Sequence, residues 1–208
     1  LDVANFRDFA VLKLFFDFSP EDLFAVRNRG GVWHFVYGGG GQHFAQRPAE
    51  LPLLLGLTDD SDFTVLFRAL MDNAGFRSAF VARTGDLLNT VLAPEALASR
   101  AGNLSASLAS AIPYEEVRWS APTVWAENVT ALQAFIAARP DALRALLVDR
   151  LGRGAPAQVQ ITVEPPAGGE VFAGGLPLPG AGVFFTGAEA TFVAVPRSGY
   201  TFVGWEGA

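Results

Sequence analysis

Leu66–Leu97, "LFRALMDNAGFRSAFVARTGDLLNTVLAPEAL", decides the fold. Together with Phe63 just ahead of it, Leu66, Phe67, Leu70 and Met71 fall at i, i+3, i+4, i+7 and i+8. After a break at Asn73, Ala74 and Gly75, the stripe resumes with Phe76, Phe80, Thr84, Leu87, Leu88 and Val91. That spacing is the helical period, so two or three short amphipathic helices are predicted, each burying one face. Ahead of them, Ser61 or Asp60 is placed to cap the helix that starts near Phe63.

Composition sets the outer limits. Half of the 208 residues are hydrophobic and only 17% are charged, so the chain can bury a sizeable core. A net charge of -6 with scattered arginines argues against nucleic acid, which needs a clustered positive surface. No apolar run approaches the roughly 18 residues that span a bilayer, and "AVLKLFF" is short and carries Lys13, so the chain is not expected to cross a membrane. It lacks an initiator Met and a leader pattern and reads as an excised fragment. The absence of Cys removes disulfides, thiolate metal sites and Cys nucleophiles.

The texture changes near Gly152–Gln158. Before it, helical spacing continues: Pro94 opens a segment with Leu97, Leu104, Leu108 and Ile112, and Pro122 precedes one with Trp125, Val129, Leu132, Phe135 and Ile136. Arg139, Pro140 and Asp141 read as punctuation before a last helix carrying Leu143, Leu146, Leu147 and Leu151, ended by Gly152. After the change the period falls to two, in "QVQITVE", "ATFVAVP" and the aromatic "YTFVGW", with turns at "PPAGGE", "PLPGAG" and "PRSGY". The expected architecture is α+β. A mainly helical domain with a short β hairpin at Ala25–Tyr37 spans 1–154, and a small antiparallel β domain of about five strands spans 155–208. The predicted core includes Phe67, Leu70, Phe76, Phe80, Leu87, Trp125, Leu132, Phe135, Leu146 and Leu147.

The order of these helices resembles the C-terminal half of the CotH (spore coat protein H) kinase family of secreted or surface-attached atypical protein kinases. "LDVANFRDFAVLKLFF" is similar to the helix that in the family leads into the catalytic loop, with Asp2, Val3, Asn5, Phe6, Asp8 and Phe9 in place. Arg27, Gly31, Trp33 and Phe35 resemble the strand pair that follows. Counting back from Arg27, the resemblance puts the catalytic acid on Asp17; counting forward from Asn5 lies closer to Asp22. Two departures stand beside it. Ser19, Pro20, Glu21 and Leu23 occupy the places of the metal-holding asparagines, and Tyr37 followed by Gly38–Gly41 occupies the place of a Trp-Asp-x-Asp metal motif. Phosphoryl transfer needs hard oxygen ligands for the metal ions that bridge the phosphates, and glycines supply none from side chains. The family's phosphate-gripping Lys would lie upstream of Leu1. No cofactor is therefore expected for this chain, with ATP and Mg²⁺ or Mn²⁺ entering only if the kinase reading holds.

"GGEVFAGG…GVFFTGAEATFVAVPRSGYTFVGWEG" resembles the bacterial surface repeat related to internalin B-repeats, through Ala194, Pro196, Gly199, Tyr200, Phe202 and Trp205. In so small a module Tyr200, Phe202 and Trp205 are expected in the core, with a ligand platform as the other reading. Two readings follow: a degenerate kinase-like surface protein, a pseudokinase, acting in spore-coat or envelope assembly or in adhesion, with coat or surface proteins as partners; or part of an active Ser/Thr kinase. Either places the protein outside the cell or on its surface, in a bacterium.

Other patterns carry less. Gly38–Gly41 lacks the Lys-Ser or Lys-Thr of a phosphate-binding loop and reads as a turn. His34 and His43 lack metal-ligand spacing. "DDSD", Asp59–Asp62, lacks the ligand order of a calcium loop. Glu115, Glu116 and Arg118 before Trp119 match the CotH family's E-x-x-R-W connector and read as an inter-helix salt link, with paired-acid catalysis as the outside reading. The sequons at Asn103 and Asn128 fall inside predicted helices.

Overall fold

Asp2 starts the first helix: its Oδ1 accepts the Asn5 N–H at 2.9 Å, and α1 (Val3–Phe16) follows. A computed structural model gives the fold and describes residues 1–16, 23–27, 29–38, 61–120, 124–152 and 154–207. Phe6, Phe9, Ala10, Val11, Leu14 and Phe15 of α1 are all buried, so this helix is the one the others pack around. Strands β1 (Leu23–Val26) and β2 (His34–Tyr37) pair antiparallel with Val26 opposite His34, within the predicted hairpin.

The decisive stretch forms α2 (Asp62–Asp72) and α3 (Ala74–Leu88). Ser61 is the cap, its hydroxyl accepting the Thr64 N–H at 3.3 Å. The break narrows to Asn73, which ends one helix and starts the next: its N–H donates to the Leu70 carbonyl and its Oδ1 accepts the Phe76 N–H at 3.0 Å. Phe63 and Phe67 stack at 6.0 Å between ring centres, and Phe67 meets Phe80 edge-on at 5.4 Å.

α4 (Pro94–Leu108), α5 (Ile112–Trp119) and α6 (Trp125–Leu151) follow. Two expectations change here. Pro140 does not divide two helices, because α6 runs through it. A proline inside a helix costs about 3 kcal/mol, and the buried face of Phe135, Ile136, Leu143, Leu146 and Leu147 on either side outweighs that cost. The segment from Pro94 is helical but buries no residue, and Leu104 and Leu108 face solvent. Of the predicted core, Phe67, Phe76, Phe80, Leu87, Phe135, Leu146 and Leu147 are buried, and Leu70 and Leu132 pack against the cluster from partly buried positions. Trp125, in the first turn of α6, is half-buried and lies outside the cluster.

After Gly152, left-handed at φ 57°, the chain turns to strands β3 (Pro156–Gln160), β4 (Gly169–Ala173), β5 (Leu176–Pro177), β6 (Ala181–Phe185) and β7 (Phe192–Pro196). They form two antiparallel sheets, β3-β6 and β5-β4-β7. Five strands were expected, but "YTFVGW" is not one of them; the tight Gly174–Gly175 turn supplies β5 instead. The small core is Ala173, Leu178 and Phe184. Tyr200, Phe202 and Trp205 are about half exposed rather than core, because their segment follows the edge strand β7 and joins neither sheet; Phe202 and Trp205 pack on each other at 5.3 Å. The architecture is α+β, and the two parts share a boundary: Phe185 of β6 belongs to the main helical core.

Candidate functional site

The resemblance directs attention to the C-terminal end of α1. The carbonyls of the last helical turn have no partner within the helix. Arg139, fully buried on α6, takes two of them, donating from Nε to Phe15 O at 2.6 Å and from Nη2 to Leu14 O at 2.9 Å. Its guanidinium also lies 5.3 Å from the Phe135 ring centre. The side chain read as punctuation is therefore the cap that fixes where α1 ends. Asp17 and Asp22, the two catalytic candidates, lie just beyond, outside the described residues, as do Ser19, Pro20, Glu21 and His43.

The hairpin is pinned to the start of the same helix. Asn5 holds both backbone groups of Phe35, accepting its N–H at 2.6 Å and donating Nδ2 to its carbonyl at 3.3 Å. The Asp2 N–H donates to Trp33 O at 2.8 Å, and Asp2 Oδ2 lies 3.3 Å from His34 Nδ1. Phe6 packs edge-on to Phe35 at 5.0 Å, and Arg27 covers the Trp33 ring at 5.0 Å. Asp2 and Asn5, which carry the resemblance, thus join helix to hairpin through backbone groups. His34 is engaged in that joint.

The hairpin ends at Gly38. A Cβ at this position would overlap the ring of Phe24 on β1, so the space beside residue 38 is already filled by an aromatic side chain. By the resemblance this is the first place at which the metal motif would supply a carboxylate; a side chain there would require the half-exposed Phe24 ring to move aside. Gly39, Gly40 and Gly41 lie outside the described residues. Among the described residues no three His, Cys, Asp or Glu come together as a metal-holding group.

Other sequence candidates resolve into structural roles. In "DDSD", Ser61 caps α2; Asp59 and Asp60 fall outside the described residues. Glu115 accepts the Trp119 indole N–H at 2.7 Å within α5, and Arg118 lies 5.3 Å from the Trp119 ring, so Glu115 makes a local contact instead of an inter-helix link. Asn103 and Asn128 lie within α4 and α6.

A polar seam between α3 and the β module went unread in the sequence. Asn89, just past α3, donates to Val183 O at 2.9 Å and accepts the Val183 N–H at 2.8 Å, while Arg144 Nη2 donates to the same Oδ1 at 3.0 Å. Nearly two turns back, Arg83 grips Asp8 with two bonds of 2.9 and 2.8 Å and donates to Gly174 O at 2.7 Å. Asp86 is buried between them, and desolvation pushes its carboxyl up to about 6, against the pull of Arg83 and Arg7 and with a push from Asp8. The weak signal was two polar residues, Asp86 and Asn89, interrupting an apolar stripe at Leu87 and Leu88.

The chain thus joins a helical lobe, a hairpin pinned to its first helix and an appended β module. Residues 37–143 match the family model described as CotH kinase protein, and residues 159–208 match that of the divergent InlB B-repeat domain. The first match covers more than half of the chain, and the protein belongs to the CotH kinase protein family. The match begins at Tyr37, so the likeness of Leu1–Val36 to the family stands on its own residues. No curated protein and no solved structure gives a match. Among the described residues no helix is long and apolar enough to cross a membrane.

Proposed function

We propose that this chain is the kinase-related but catalytically degenerate part of a surface or secreted bacterial protein, built as a helical unit at 1–154 and a β unit at 155–208, which acts in coat or envelope assembly or in adhesion. The observation that carries the reading is Gly38: where the resemblance puts a metal-binding carboxylate the chain has no side chain, and the Phe24 ring occupies the space beside it. Without hard oxygen ligands at that place, the charge that develops on a transferring phosphoryl group has no cation beside it. The second support is the repeat, which presents Tyr200, Phe202, Val203 and Trp205 at its surface. The binding partners on this reading are coat or surface proteins, and the chain needs no cofactor.

The alternative is an active Ser/Thr kinase in which Asp17 or Asp22 survives as the catalytic acid and ATP binds with a divalent metal. A melting temperature of the protein in its longest natural form, with and without ATP plus Mg²⁺ or Mn²⁺, separates the two. Ligand at about 100 times its dissociation constant adds about 2.7 kcal/mol of stability. The degenerate reading expects no shift at millimolar nucleotide. A metal-dependent rise that disappears in Asp17→Asn or Asp22→Asn would name the surviving acid and replace it.

A further inference from the structure

The seam between helical lobe and β module holds a buried acid that forms no ion pair among the described residues. Asp86 is 8% exposed, and Arg83, the cation that acts on it most strongly, has three donors committed elsewhere: Nε and Nη2 to the Asp8 carboxylate on α1, and Nη1 to Gly174 O in the β4–β5 turn. Gly174 sits at φ +55° with its backbone directly over the Asp86 carboxylate, so close that any Cβ there would overlap it. The groups that face Asp86 are thus Arg83 from its own helix and Arg7 and Asp8 from α1. From the turn, Gly174 and Gly175 bring no charge.

The same seam ties down the rest of the module. Asn89 takes both backbone groups of Val183 on β6, Arg144 braces Asn89, and Phe185 and Leu176 enter or pack against the helical core. Docking therefore covers Asp86 with the Gly174 turn, and undocking opens that side to water.

We propose that Arg7, Asp8, Arg83 and Asp86 form a proton-operated latch that holds the β module tightly against α3 in mildly acidic surroundings and loosens it at neutral pH. Protonated, Asp86 is a neutral group that Gly174 covers at little desolvation cost. Ionised, it is a buried anion beside a second carboxylate, and the module that covers it is held less firmly. Arg83 keeps its charge throughout: its hydrogen bond to Asp8 is the largest of the influences that raise it. A carboxyl raised to about 6 when docked falls on undocking by the share of its desolvation that the β module supplies, so docking is favoured at the lower pH, by up to about tenfold between pH 5 and pH 7.5. The repeat is then a responsive part of the molecule and not a passive spacer.

Hydrogen exchange of the Val183 amide, whose proton is given to Asn89, reads docking in the intact chain. After correction for intrinsic exchange, its protection is expected to fall from pH 5 to pH 7.5, by up to about tenfold, and to level off as the pH passes the Asp86 carboxyl titration followed by ¹³C chemical shift. Asp86→Asn, which keeps the shape and removes the charge, is expected to hold high protection at both pH values. Protection that is flat in the wild type, or that falls equally in Asp86→Asn, overturns the latch. Where that variant does not fold, the wild-type comparison decides alone: protection that goes on falling well above the Asp86 titration, or that does not fall at all below it, overturns it.

Discussion

The side-chain amide of Asn89 bonds both backbone polar groups of Val183, giving a proton to the carbonyl at 2.9 Å and taking one from the N–H at 2.8 Å. A helix-end asparagine thereby acts as the missing neighbour of strand β6, and Arg144 fixes its orientation from α6. Helical lobe and β module are joined by hydrogen bonds as specific as those within a sheet.

Asn89→Ala leaves Val183 and one arm of the buried Arg144 without partners. It is expected to destabilise the protein by about 2 to 3 kcal/mol, measured by urea denaturation at constant m. A loss below about 0.5 kcal/mol would mean that the seam does not contribute to stability.

Phe80 is fully buried at the meeting of α2 and α3, edge-on to Phe67 and stacked on Phe76. Phe80→Ala is expected to cost about 3 to 5 kcal/mol in the same measurement. Trp119→Ala makes the contrast: this ring is 67% exposed and bonded only within its own helix, so a change of about 0.5 to 1 kcal/mol is expected.

Arg139→Met removes the two donors on the last carbonyls of α1 while keeping much of the buried volume. Unsatisfied buried carbonyls cost about 1 to 3 kcal/mol each, so a loss of about 2 to 4 kcal/mol is expected by denaturation. Faster amide exchange in the last turn of α1 than in α3 would locate the damage at the cap.

Stability should depend on pH through Asp86. Its folded carboxyl is raised to about 6 from 3.8, so between those values the folded state holds more protons than the unfolded one. Stability therefore falls as pH rises from about 4 through 6 and is flat in this respect above it, by on the order of 2 kcal/mol in total. Asp86→Asn is expected to remove that slope from a series of melting curves.

The helical lobe was legible where one rule dominated. The stripe of Phe63, Phe67, Phe76 and Phe80 fixes period and face together, and Ser61 and Asn73 mark the ends. Pro140 misled because local propensity was weighed without the long-range contact of Arg139 with Phe15 and Leu14, more than a hundred residues away in sequence. Tyr200, Phe202 and Trp205 misled for the opposite reason: period-two aromatics promise burial only when another layer covers them, and their segment joins neither sheet. Asp2 and Asn5 were legible as a motif, but their task, holding Trp33, His34 and Phe35, depends on pairing that sequence spacing does not specify. Asp17 and Asp22 rest on the resemblance alone.

Phosphoryl transfer tests the central claim most directly. The protein is incubated with γ-labelled ATP and Mg²⁺ or Mn²⁺, alone and with an acceptor protein rich in Ser and Thr, beside the Asp17→Asn/Asp22→Asn double variant. The account expects label incorporation no greater than in the double variant, in keeping with a Gly38 that supplies no carboxylate where the metal motif has one. Metal-dependent incorporation that the double variant abolishes would contradict it.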